Sequence, residues 1–325
     1  MCRLSKFVVC LLLLISVNAE LVPESNTTAQ LHSLPLQEGA AKDPDSDPSP
    51  SDFQFLITGG YRPKNNNLVK YVVSLRLGKS KKFFGDNHFC AGAIFSPRAI
   101  LTAAHCLFSG KRRLMPKKIS VIAGTPKRLV KTGSTQTVVA KKLVPHPKYK
   151  KGKSQKYDIG IVLTKEDITL GGSADSIALY HKAPVAGVQC TIVGWGTVIQ
   201  YGPLPDEVIN GDVRILPDTF CRKLMGWSSE GMLCANDATN TEVDSCQGDS
   251  GGPLICDNKV TGIVSFGTGC GEPDTAGIYT DVYHFREWIN ENSCPRAIYP
   301  RRALLILVSC VLAERHLIEH STGCY

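Results

Sequence analysis

From about residue 57 to residue 293 the chain is a succession of short β-rich runs broken by turns, among them KYVVSLRL, CAGAIFS, KISVIAG, TQTVVAKKLV, IGIVLT, CTIVGWG, GDVRIL, KVTGIVSFG and GIYTDV. Many short runs of this kind at fairly regular spacing predict an all-β barrel or sandwich. Frequent Gly and Pro fit a strand-and-turn chain, and 43% apolar residues suffice for a sizeable core. YHFREWINENS alone has helical spacing, with Phe285, Trp288 and Ile289 on one side. It predicts a terminal helix docked on the body.

The segments outside this region differ in texture. Arg3 and Lys6 precede the apolar FVVCLLLLISV, and Val17-Asn18-Ala19 resembles a cleavage site. Residues 1–19 read as a secretory signal, the apolar run being short for a membrane anchor. Residues 20–56 are polar, with KDPDSDPSPSD and an Asn26-Thr27-Thr28 sequon, and cannot bury enough surface to fold alone. Residues 295–325 hold an apolar core, Ala303 to Ala313, too short to span a bilayer, and give no functional reading.

Thirteen cysteines indicate an oxidising compartment, in keeping with secretion. Eight lie between Cys90 and Cys270, an even number compatible with four bridges; Cys294, Cys310 and Cys324 follow. No C-x-x-C pair occurs, which argues against a zinc site. The formal net charge is +8, unevenly spread: from Cys106 to Tyr157 there are many Lys and Arg and no Asp or Glu. Solvated loops would account for this, as would a surface for an acidic glycan or an acidic protein segment. Nucleic acid is not an expected partner of a secreted chain.

Three separated motifs carry chemistry. GDSGGP holds Ser250 among Gly248, Gly251 and Gly252, where the backbone can turn sharply and a substrate can approach closely. The N–H groups of Gly248 and Ser250 could then face a carbonyl oxygen as it gains charge. A hydroxyl needs an oriented base to become a nucleophile. LTAAHC places His105 at the end of an apolar strand, and KYDIGIV sets Asp158 at the head of another, where a half-buried carboxylate needs a partner such as an imidazole N–H.

LTAAHC, DIGIV and GDSGGP, in that order, resemble the chymotrypsin/trypsin family of serine endopeptidases, over roughly residues 57–293. The resemblance implies two six-stranded antiparallel β-barrels with a C-terminal helix and the active site between the barrels. His105 would be general base and acid, Asp158 its orienter and Ser250 the nucleophile. It also implies the bridges Cys90–Cys106, Cys190–Cys256, Cys221–Cys234 and Cys246–Cys270. Asp244 matches the floor of the primary pocket in trypsin-like members, with Ser245 beside it, Ser265, Phe266 and Gly267 as one wall and Gly277 opposite. The expected substrates are proteins or peptides with Arg or Lys before the cleaved bond. Asp249 matches the partner of the new N-terminal ammonium after activation, and Ile57, opening ITGG, matches that terminus.

Some residues depart from the family pattern. Leu56 stands where Arg or Lys usually precedes the isoleucine, Gly160 replaces a usual alanine and Phe266 a usual tryptophan. The stretch matching the family's calcium loop, AGTPKRLVKTGSTQ, has no carboxylate, so no metal or other cofactor is expected. The resulting expectation is a monomeric, secreted zymogen with a signal peptide at 1–19, a propeptide at 20–56 and a peptidase domain spanning residues 57–294. The alternative is a catalytically silent protein of the same fold with a basic glycan-binding surface.

Overall fold

The computed structural model describes residues 59–152, 155–237 and 242–293. The signal-like segment, the polar stretch to residue 56, Ile57, and the tail with Cys294, Cys310 and Cys324 lie outside these residues. Among the described residues no helix is long and apolar enough to cross a membrane.

The first half contains β1 (Val72–Leu77), β2 (His88–Ser96), β3 (Ala99–Thr102), the short pair β4 (Phe108–Ser109) and β5 (Arg112–Arg113), then β6 (Ile119–Ala123), β7 (Gln136–Pro145) and β8 (Gly160–Thr164). Six of them close into an antiparallel barrel in the order β1-β2-β3-β8-β7-β6, while β4 and β5 form a separate hairpin. The second half contains β9 (Ala178–Leu179), β10 (Gln189–Gly194), β11 (Ile209–Ile215), α1 (Asp218–Cys221), β12 (Met232–Asn236), β13 (Pro253–Cys256), β14 (Lys259–Phe266), β15 (Gly277–Asp281) and α2 (Arg286–Asn292). Here β13-β10-β11-β12-β15-β14 close on themselves through the β13–β14 pairing, and β9 adds to β14 in parallel. The fold is thus the expected pair of six-stranded antiparallel barrels with a C-terminal helix.

Side-chain alternation turns these segments into barrels. In β7, Val138, Ala140 and Leu143 face the core while Lys141 and Lys142 are both exposed. A register shift against β8 between Ala140 and Lys142 resets the alternation and lets two lysines in succession face water. The first core is built on Leu75, Ile94, Ile100, Leu101, Val121 and Ile161, all at most 1% exposed. The second gathers Tyr180, Ile192, Val213, Leu254 and Tyr279. Ile289 of α2 is fully buried and Phe285 nearly so, as the helical spacing requires.

The structure forms all four bridges implied by the resemblance: Cys90–Cys106, Cys190–Cys256, Cys221–Cys234 and Cys246–Cys270. In the carboxylate-free loop between β6 and β7 the inward group is itself a cation. Arg128 is 6% exposed and donates to the carbonyl oxygens of Gly85, Leu204 and Pro205, at 2.9, 2.9 and 3.0 Å. A guanidinium thus engages carbonyl oxygens of two other segments from within this loop.

Candidate active site

His105 lies beyond the strand expected to carry it. β3 ends at Thr102, and Ala104–Leu107 is a single 3-10 turn, tied down by the Cys90–Cys106 bridge. Asp158 sits just before β8 with its side chain 1% exposed. Its two oxygens accept from the backbone N–H of His105 and from His105 Nδ1, each at 2.7 Å. A carboxylate only accepts, so Nδ1 carries the proton and Nε2 of the neutral ring is left as an acceptor. Ser265 Oγ donates to the same carboxylate at 2.6 Å. Three donors satisfy a charge that would otherwise be costly to bury. Ser265 therefore supports Asp158 with its hydroxyl. Gly160 has a packing reason: a Cβ there would come within 2.7 Å of Leu107 Cδ1, on the turn that carries His105.

Ser250 precedes β13, on the second barrel, and shares one cleft of about 350 Å³ with His105 and Gly248. The backbone around it is sharply folded. Gly248 has φ +108° and Gly251 φ +79°; a Cβ on Gly251 would lie 2.1 Å from Thr102 Oγ1 and 2.7 Å from the Ala91 carbonyl. Only glycine fits there. The N–H groups of Asp249, Gly251 and Gly252 donate to Cys246, Val264 and Asp249 carbonyls. Among the described residues the N–H groups of Gly248 and Ser250 make no such bond. Two unengaged donors beside a serine can hold an oxyanion.

Behind Gly248 runs a buried relay that the sequence motifs do not reveal. Arg76 Nε donates to Ser74 Oγ at 3.2 Å, Ser74 Oγ lies 2.8 Å from His88 Nδ1, and His88 Nε2 lies 3.1 Å from the Gly248 carbonyl oxygen. That carbonyl can only accept, so Nε2 carries the proton and Nδ1 accepts from the serine. Burial, with Arg128 and Arg76 nearby, pushes the His88 pKa down to about 3 and keeps the ring neutral. The relay fixes the Gly248 peptide, and Leu204 packs against the same glycine. A histidine at the head of a strand carries no sequence signal for this role.

Asp244 is 3% exposed. Its oxygens accept from the N–H of Ser245 at 2.7 Å and of Gly271 at 3.1 Å, close to the Cys246–Cys270 bridge. Burial raises its pKa to about 6. Gly277 faces it so closely that a Cβ would lie 2.7 Å from Asp244 Oδ1. At Gly267 a Cβ would meet nothing nearer than 3.8 Å, so the missing side chain leaves room. Phe266 ends β14 partly buried, next to Gly267. The buried Tyr279 hydroxyl lies behind Gly277, its pKa driven well above the usual value by burial and by Asp244. A buried carboxylate with two N–H partners can take a cation as its counter-charge.

Asp249, adjacent to Ser250 in sequence, points away from it. It is fully buried and accepts from the N–H of Gly196 at 2.7 Å and of Cys246 at 3.1 Å. A Cβ at Gly194 or Gly196 would lie within 2.0 Å of its oxygens. Burial lifts its pKa to about 6, and no cation forms a salt bridge with it among the described residues.

The structure thus brings His105, Asp158, Ser250 and Gly248 together, places Ser245 and Gly277 against Asp244 and Gly267 beside Gly277, and leaves Ile57 outside the described residues. One grouping of metal-type ligands occurs among those residues, Cys90, His105 and Cys106, but its two sulfurs are bonded to each other and offer no thiolate.

A family model described as Trypsin matches residues 57–289. Trypsin eta of Drosophila erecta is 36% identical over 239 residues, covering 72% of this chain and 88% of its own length. Serine protease 1 of Canis lupus familiaris is 34% identical over 244 residues, 74% of this chain and 92% of its own. Trypsin-3 of Homo sapiens is 32% identical over 244 residues, with 74% of each chain covered.

Proposed function

Because this chain belongs to the trypsin family of serine proteases, we propose that it is a secreted endopeptidase cleaving after Arg or Lys, with Ser250 as nucleophile, His105 as general base and acid, and Asp158 orienting His105. The observation that carries this reading is the double hydrogen bond from His105 to the buried Asp158, in a cleft shared with Ser250. Ser250 Oγ attacks the scissile carbonyl carbon and passes its proton to His105 Nε2. The carbonyl oxygen becomes an oxyanion facing the N–H groups of Gly248 and Ser250. The C–N bond then breaks, the amine leaves with the proton from His105, and water hydrolyses the acyl-enzyme by the same steps in reverse roles. The four disulfides and the signal-like N-terminus support secretion.

Asp244 gives this reading a pH signature. In the empty pocket its carboxyl titrates near 6. A bound guanidinium favours the carboxylate, so binding below that pH must first expel a proton. The affinity for a small arylguanidine inhibitor should therefore be constant at neutral pH and fall about tenfold per unit below the pocket's pKa. Calorimetric binding across that range checks this; a flat profile would remove Asp244 from the pocket floor.

Asp249 supports a zymogen. A buried carboxylate with two N–H partners and no cation is incomplete, and the α-ammonium of Ile57, released by a cut after Leu56, would complete it. The apolar Leu56 points to an activator that prefers large apolar residues. The same residue favours the second reading, a chain that is never cut and acts only by binding. The two separate in one experiment. Leu56→Arg treated with trypsin should gain activity together with an Ile57 terminus, while the wild type resists trypsin at that bond and yields to a chymotrypsin-like protease. An inactive chain with a verified Ile57 terminus would support the silent-binder reading. The sign of the pH effect also differs. With its pKa raised, Asp249 disfavours the uncut fold as pH rises through about 6. An ammonium partner lowers that pKa, so the cut form should gain thermal stability over the uncut form as pH rises.

A further inference from the structure

The cleft that holds Ser250 and His105 is walled by Leu77, Phe89, Phe108 and Leu114, with Lys151 among its lining residues, and neither Asp244 nor the glycines beside it line it. A peptide with its carbonyl carbon at Ser250 and the preceding side chain on Asp244 must lay its following residues along this wall.

Both walls are the roots of hairpins. Leu77 ends β1 and Phe89 lies in β2, so residues 78–87 form the loop between them. Phe108 opens β4 and Leu114 follows β5, with Gly110 and Lys111 at the turn. The first loop carries exposed Lys79, Lys81 and Lys82, and the second hairpin exposed Lys111, Arg112 and Arg113. Lys151 Nζ donates to the carbonyl oxygens of His105 and Phe108, both at 3.3 Å, which holds a seventh cation beside the cleft. The two hairpins contain one carboxylate, Asp86, and its oxygens accept from the backbone N–H groups of Lys81, Lys82 and Phe83 at 3.0, 2.6 and 3.3 Å. It folds the loop on itself. Among the described residues none of the seven cations forms a salt bridge.

An apolar trough flanked by cations that form no salt bridge among the described residues calls for a ligand with an apolar side chain first and negative charge beyond it. We infer that the preferred substrate is acidic on the C-terminal side of the cleaved bond: an apolar residue rests on Phe89, Phe108 and Leu114, and carboxylates follow between the two hairpins. This rests on the endopeptidase reading and names the substrate class of that site. A sulfated polysaccharide matches the cations but has no apolar side chain for the trough.

The test uses the processed, Ile57-terminated chain, with active enzyme counted by titration with an arginyl ester. Two internally quenched peptides carry Arg-Leu at the cleaved bond, followed by Glu or Gln triplets. The Glu peptide should exceed the Gln peptide in kcat/KM by roughly tenfold at low salt. The gap should close near 1 M salt, where the screening length is about 3 Å. K79Q/K81Q/K82Q and K111Q/R112Q/R113Q, tested separately per titrated site, should each narrow the Glu-to-Gln ratio. Equal rates on both peptides by an ester-active enzyme would overturn this inference alone. So would equal rates accompanied by heparin oligosaccharide binding lost in the two variants, which would hand the hairpins to a polysaccharide. Failure of the processed chain to turn over the arginyl ester would remove the endopeptidase reading and this inference with it.

Discussion

Replacing Ser250 by alanine should lower kcat for peptide and anilide substrates on the order of 10⁶-fold while leaving the melting temperature nearly unchanged. The alanine is smaller than the serine and only half-buried, and the turn around it is set by Gly248 and Gly251 rather than by the hydroxyl. The carbonyl of residue 250 still accepts from the Ala91 N–H at 2.9 Å, so the link to the first barrel survives. Stopped assays on purified, Ile57-terminated variant, with its circular dichroism compared to wild type, provide the check. Turnover within tenfold of wild type would mean that another group is the nucleophile.

Asp244→Ser should remove the preference for cationic side chains. In the wild type, Arg and Lys reporters should be cleaved far faster than Phe or Leu reporters. Without the carboxylate, a guanidinium entering the pocket leaves water and finds no counter-charge, a loss of about 2–5 kcal/mol, or roughly thirty-fold to several thousand-fold in kcat/KM. Apolar reporters should change little or improve, because a buried carboxylate no longer faces them. Parallel kcat/KM measurements on Arg, Lys, Phe and Leu anilides decide it. A wild-type preference for aromatic residues would refute the assignment of Asp244.

The catalytic motifs are legible because each couples an unusual residue to a local backbone demand. Ser250 stands among glycines that the structure needs, and Asp158 opens an apolar run that buries it. The barrel strands announce themselves by β-rich runs between turns. What escapes the sequence depends on tertiary contact. β12, Met232–Asn236, is buried at every position, so it shows no alternation. The parallel addition of β9 to β14 has only two residues to signal it. α1 is four residues long, and the hairpin of β4 and β5 carries more charge than hydrophobic pattern. His88 gains its place from Ser74 on the neighbouring strand and Gly248, far away in sequence. The hydroxyl of Ser265 turns to Asp158, far away in sequence, where a buried carboxylate has room for a third donor.

Arg128 has a bearing on how this molecule holds its shape in a changing medium. Its guanidinium joins the loop after β1 to the strand-linking segment at Leu204 and Pro205, and Leu204 rests on Gly248. A dissociable ion in such a place would make the order of that region a function of the surrounding ion concentration. A clamp that is part of the chain has no binding isotherm. Dilution and chelation leave its occupancy untouched, and the segment that packs on Gly248 keeps its anchor wherever the chain is carried.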